Sequence, residues 1–105
     1  MSGWVRVLDS HELLPGEMRG VWVGETPLVL FNLDGQIHAL RDQCTHEDYE
    51  LSAGSFDPVA GAVECVLHGA RFDVRDGRAL CAPAYLPVER FEARIEDGGI
   101  HVRLP

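Results

Sequence analysis

The sequence predicts an all-β fold, an antiparallel β-sandwich or partly open barrel. Three observations predict it. Apolar and polar residues alternate with period two over 88–96 and again over 100–104, as along half-buried strands. Asp34-Gly35 sits between two apolar runs, a strong hairpin signal. Many short strands, separated by frequent turn clusters, imply sheet packed on sheet or a closed sheet.

Taken in order, Trp4 to Leu8 reads as a strand, with Trp4, Val5, Val7 and Leu8 available to a core. Asp9 to Glu12 looks like a helix start of about one turn, capped by Asp9 and stopped by Pro15-Gly16. Glu17 to Val23 is the next strand, and Gly24-Glu25-Thr26-Pro27 a turn. Leu28 to Leu33 is nearly all apolar, which fits a strand buried on both faces. Asp34-Gly35 then turns the chain into Gln36 to Leu40, where His38 alternates with Ile37 and Ala39 and is expected to face solvent. Phe56 to Glu64 reads as a hairpin, and so do Phe72-Asp73-Val74 and Ala79-Leu80 around Arg75 to Arg78. In the last hairpin Phe91, Ala93 and Ile95 share one face, and Ile100, Val102 and Leu104 line the inner face of the final strand.

At 105 residues the chain makes one domain, 1–105. No apolar run approaches the roughly 18 residues of a membrane span, and no signal peptide is visible, so a cytoplasmic protein is expected. Nine basic against 17 acidic residues give a net charge of −8. That disfavours nucleic acid and allows steering toward basic patches on partners. Three cysteines are too few for a disulfide scaffold.

The chemistry lies in two segments, Cys44-Thr45-His46 and Cys65-Val66-Leu67-His68-Gly69. Each pairs one thiolate donor with one imidazole donor. Structural zinc sites usually group like ligands, and plant-type iron–sulfur clusters use thiolates alone. Two mixed loops facing each other can put both sulfurs on one iron and both nitrogens on a second. The expected group is therefore a two-iron, two-sulfur cluster held by Cys44, His46, Cys65 and His68, one cluster per chain. Gly69 allows a tight turn beside it, and Leu67 is expected to shield it from water. The acidic run Glu47 to Glu50 borders the site, where nearby negative charge disfavours reduction. Cys81 is left over and is expected to be a buried, inert small hydrophobe.

These residues, with Leu51-Ser52-Ala53-Gly54 and Gly69-Ala70-Arg71-Phe72-Asp73, resemble the Rieske iron–sulfur proteins. The likeness is to the small Rieske-type ferredoxins of bacterial aromatic ring-hydroxylating dioxygenases. The resemblance implies a cluster-binding subdomain at approximately 43–84, with Ala82-Pro83-Ala84 as a third loop packing over the cluster. It also implies a one-electron carrier and not an enzyme. The partners would be an NAD(P)H-dependent flavoprotein ferredoxin reductase and a terminal Rieske non-haem iron oxygenase. No nucleotide-binding glycine motif, nucleophile–base pair or mononuclear iron site is visible. High-potential Rieske proteins place hydroxyl donors at the positions of Ala70 and Phe72. Their absence here points to the low end of the Rieske range, about −150 mV or somewhat above. A monomer suits a diffusing carrier. Val66 departs from the proline common at its place. The alternatives are the small Rieske-fold subunit of a nitrite reductase, a Cys2His2 zinc structural module, and a redox sensor. The aromatic substrate and the reductase class are not legible.

Overall fold

The structure is a computed structural model, and it describes residues 3–45, 49–66, 69–82 and 85–104. Among the described residues, ten strands form two antiparallel sheets. The larger contains β1 (Gly3–Asp9), β2 (Met18–Val23), β3 (Thr26–Leu33), β4 (Gln36–Arg41), β9 (Arg90–Glu96) and β10 (Gly99–Leu104). Its order is β1-β10-β9-β4-β3-β2, and it curls into a half-barrel. The smaller sheet runs β5 (Ser55–Asp57), β6 (Ala62–Glu64), β7 (Arg71–Asp73) and β8 (Ala79–Cys81) in sequence order. It is inserted between β4 and β9.

Strand β3 explains why the two sheets hold together. All six side chains of Leu28 to Leu33 are buried. Leu28 and Leu30 point into one apolar cluster with Leu8, Leu13, Ile37, Phe91, Ile100 and Val102, inside the half-barrel. Val29, Phe31 and Leu33 point the other way, into a second cluster with Leu40, Leu51, Val63, Phe72 and Val74. The continuous apolar run is thus a strand with a core on each side. Phe31 meets Phe56 edge-on across the sheets, with ring centroids 5.0 Å apart. Each large side chain buried this way contributes on the order of 1.5–3 kcal/mol.

The expected hairpins are present. Asp34 and Gly35 have φ of 53° and 90°, the left-handed pair that a two-residue turn between twisted strands requires. Leu33 opposes Gln36 across it. Buried Asn32 fixes the approach: its Oδ1 accepts from Gly35 N–H at 2.7 Å, and its Nδ2 donates to the Leu13 carbonyl at 2.9 Å. The helix start at Asp9 is a single 3₁₀ turn, Ser10–Glu12.

Three expectations need correction. Thr26 and Pro27 are not in the turn; they begin β3, opposite Val23 and Trp22. The turn shrinks to Gly24-Glu25 because the β2–β3 register continues to its end. Ile95 is exposed, although its cross-strand partner Ile100 is fully buried. His38 is half-buried instead of solvent-facing. Its alternation with Ile37 and Ala39 is as expected, but the smaller sheet covers the other face. Burial pushes the His38 imidazole below its ordinary value of 6.5, the charges of Arg75 and Arg90 add to this, and Asp73 opposes it.

A lowered pKa in the folded state means that the unfolded chain takes up this proton first as pH falls. The stability tied to neutral His38 is present above pH 6.5 and is lost as pH falls through the lowered folded value. His38→Gln should therefore flatten the decline in melting temperature below pH 6.5 relative to wild type. Parallel melting curves for the two proteins would refute this.

Candidate metal centre

Both sequence motifs sit where a strand ends and the chain must turn. After β4, the Asp42 N–H donates to the Pro27 carbonyl at 3.0 Å. The Cys44 N–H then donates to the Tyr49 carbonyl at 2.8 Å. The second motif starts as β6 ends. There the Cys65 N–H donates to the Ala70 carbonyl at 2.7 Å. In each loop the cysteine N–H is thus held by a carbonyl five residues on, so each histidine position falls inside a closed loop. The two loops share this closing bond, although their Cys-to-His spacings differ by one residue.

The thiols are inside. Cys44 is 2% exposed and Cys65 1%, and both belong to the cluster that contains Phe31, Leu51 and Phe72. Ala70 and Phe72 are fully buried in that cluster, and neither carries a hydroxyl. Gly69 has φ of 71°, the left-handed conformation that lets the second loop return to β7. His46 and His68 lie outside the described residues, as do Glu47, Asp48, Leu67, Pro83 and Ala84.

Two supports were not legible as functional. Asp42 is buried, and its carboxylate accepts from the Ser52 N–H at 2.8 Å and the Ser52 hydroxyl at 2.6 Å. This ties the entry of the first loop to the 3₁₀ turn Leu51–Ala53 at its exit. A carboxylate two residues before Cys44 gives no sign in sequence of which distant hydroxyl it will meet. The Thr45 hydroxyl donates to the Leu86 carbonyl at 2.7 Å, which fastens the first loop to the segment leading into β9. Gly54 follows the 3₁₀ turn, and a Cβ there would overlap the Glu64 carbonyl oxygen, so this close approach demands glycine. On the smaller sheet Arg71 pairs with Glu64 and Asp57, each at 3.7 Å.

Cys81 is not buried. It ends β8 on the edge of the smaller sheet and is exposed, its Sγ 3.7 Å from the Gly69 carbonyl. Burial statistics for free cysteine mislead here because β8 is the edge strand and, among the described residues, no strand pairs beyond it. A thiol reagent should label Cys81 in the cluster-loaded protein with visible absorption unchanged; no labelling would contradict its exposure.

The donor chemistry fits an iron–sulfur group. Thiolates are soft ligands that suit such clusters, and a buried anion needs a compensating cation. Two such sulfurs in one apolar cluster, each at the mouth of a closed loop, would create that need as thiolates, and iron would meet it. The loop support is testable. Asp42→Ala leaves the Ser52 N–H and hydroxyl without their acceptor and should cost about 2–3 kcal/mol in chemical denaturation. In a double-mutant cycle with Ser52→Ala, which removes the hydroxyl and keeps the backbone N–H, about half of that loss should appear as coupling; additive effects would show that the hydroxyl contact is not a brace.

Comparisons with known proteins agree with this geometry. Residues 3–92 match the Rieske [2Fe-2S] domain family. The chain is 36% identical over 99 residues to the ferredoxin component of biphenyl 2,3-dioxygenase from Rhodococcus jostii (strain RHA1), covering 94% of this chain and 91% of the relative. In structure it is similar to the ferredoxin of carbazole 1,9a-dioxygenase from Nocardioides aromaticivorans IC177, with a TM-score of 0.90 at 29% identity, covering 94% and 95% of the two chains. A structure described as a complex of reduced oxygenase and oxidized ferredoxin in carbazole 1,9a-dioxygenase aligns with a TM-score of 0.86 at 33% identity, covering 94% of this chain and 91% of that one. With the family match running through nearly the whole β framework and both cysteine loops, the chain belongs to the Rieske [2Fe-2S] domain family, and its cofactor is a Rieske-type two-iron, two-sulfur cluster.

Proposed function

We propose that this chain is the ferredoxin component of an aromatic ring-hydroxylating dioxygenase system. It would carry single electrons from an NAD(P)H-dependent flavoprotein reductase to a terminal oxygenase. Cys44 and Cys65 bind one iron, and His46 and His68 bind the other. Residues 43–84 form the cluster-binding part of a single Rieske domain, 1–105. The observation that carries this reading is the matched pair of loops. Each has a buried cysteine at its mouth, a backbone bond closing it five residues on, and a histidine within it.

When bound, the cluster supplies a site that holds one electron at a time. The residues of the chain control that site from outside. Cys44 and Cys65 anchor it in the apolar cluster, away from water. The imidazole edges of His46 and His68 provide the exit toward a partner. The similarity to ferredoxin components of dioxygenase systems supports the oxygenase as electron acceptor. A diffusing carrier suits the cytoplasm and works as a monomer, with a small and short-lived interface to each partner. No helix of the described residues is long and apolar enough to cross a membrane.

The potential should be low for a Rieske centre. Hydrogen bonds to cluster sulfur stabilise the reduced, more negative state. Ala70 and Phe72 offer no hydroxyl. Ala70→Ser and Phe72→Tyr should each raise the midpoint potential by about 50 mV, the equivalent of one net hydrogen bond. Unchanged potentials in both variants would remove this account of tuning.

Electron paramagnetic resonance before and after chemical reduction tests the ligand assignment. A silent oxidised sample that gains a signal of low average g-value on reduction is expected. A spectrum of all-thiolate type would remove His46 and His68 from the ligand set. Silence in both states with zinc bound would leave a structural module.

A further inference from the structure

A groove of about 350 Å³ opens beside the first ligand loop. Trp22 and Pro27 of the β2–β3 hairpin form one wall. Asp42 and Gln43, just before Cys44, and Tyr49 and Glu50, just after the loop, form the other. The groove is therefore built on the segments that hold Cys44, since the Tyr49 carbonyl closes that loop. Its volume lies at the small end of the range in which pockets take up ligand groups.

Its chemistry is aromatic and acidic. Trp22 is 70% exposed on the edge strand β2, and Tyr49 is exposed opposite. Among the described residues lining the groove none is Lys, Arg or His. The Asp42 carboxylate is engaged by Ser52, so exposed Glu50 is the outward charge. The other tryptophan shows what such a ring takes on this surface: the Arg94 guanidinium lies 4.0 Å from the centroid of Trp4. The chain's own cations are committed elsewhere. All nine basic residues are arginines. Eight of them pair with carboxylates of the same chain, and Arg90 donates to the Arg75 carbonyl. A net charge of −8 remains. None of the nine arginines lines the groove, so its acidic, aromatic walls are left to a cation of another molecule.

We propose that the groove receives an arginine- or lysine-bearing segment of the redox-partner protein, with the cation between Trp22 and Tyr49 and facing Glu50. The proposal rests on the electron-carrier reading for the identity of the partner. The aromatic faces supply cation–π attraction and Glu50 the complementary charge. A segment seated there abuts the residues on either side of the first ligand loop. Docking in the groove therefore registers the partner against the cluster end of the molecule.

The experiment uses the cluster-loaded protein. Trp4→Phe leaves Trp22 as the sole tryptophan, so its fluorescence reports the groove directly. The probe is the peptide acetyl-Gly-Arg-Gly-Arg-Gly-amide, with a glutamate counterpart as control. Saturable quenching by the arginine peptide alone is expected, weakened about fivefold or more by Glu50→Gln and by Tyr49→Leu, which keeps the backbone carbonyl. Non-saturable quenching, or equal affinity in both variants, overturns the proposal. Electron transfer from the reduced protein to a purified biphenyl dioxygenase oxygenase then reads the consequence. Trp22→Ala should slow the second-order rate about tenfold and Trp22→Phe should restore most of it, with resonance spectrum and midpoint potential unchanged. A wild-type rate retained in Trp22→Ala overturns the groove while leaving the carrier reading intact. A wild-type protein that passes no electron to any oxygenase defeats the carrier reading, and the peptide titration still decides whether the groove binds cations. A sedimentation coefficient that falls in Trp22→Ala would make the groove a contact between two copies and overturn the proposal.

Discussion

The rest of the molecule depends on the burial of β3 on both faces. One strand serves two cores, so the half-barrel and the smaller sheet cannot be separated without exposing Val29, Phe31 and Leu33. The second core is also where Cys44 and Cys65 lie. The sulfurs proposed as ligands are thus part of the packing that joins the sheets. A cluster held by them would be coupled to the fold through this shared core, as metal sites generally are when a preformed site is absent from the unfolded chain.

That coupling explains the economy of the ligand loops. A loop at the end of a strand has few neighbours to hold it, and mobility there would broaden the geometry of the metal site. Each loop is therefore closed by its own backbone bond at the cysteine. The first, which spans more chain outside the core, has two further braces, Asp42 to Ser52 and Thr45 to Leu86. The second is braced by sheet pairing, because β6 and β7 run on either side of it.

The surface divides its charges in a consistent way. Arginines are consumed internally by neighbouring carboxylates, mostly at exposed pairs worth little to stability. The surplus of carboxylates is what a partner meets at long range. Close to the first loop that surplus is joined by two exposed aromatic rings.

The sequence by itself determined whatever is local. The Asp34-Gly35 turn, the alternation of 88–96, the two-faced run Leu28 to Leu33 and the mixed Cys/His loops are all written in neighbouring residues, because turn geometry and strand period act over a few positions. Tertiary structure decided what depends on which surface covers which. His38 keeps the predicted side of its strand but lies under the smaller sheet, an insertion that begins only at Ser55. Cys81 lies exposed on the edge strand of the smaller sheet. Asp42 becomes a strut only because the chain returns Ser52 to it, and Trp22 becomes one wall of a groove only because the first loop stands opposite. Burial and pairing across the chain are properties of the folded surface, and no window of sequence contains them.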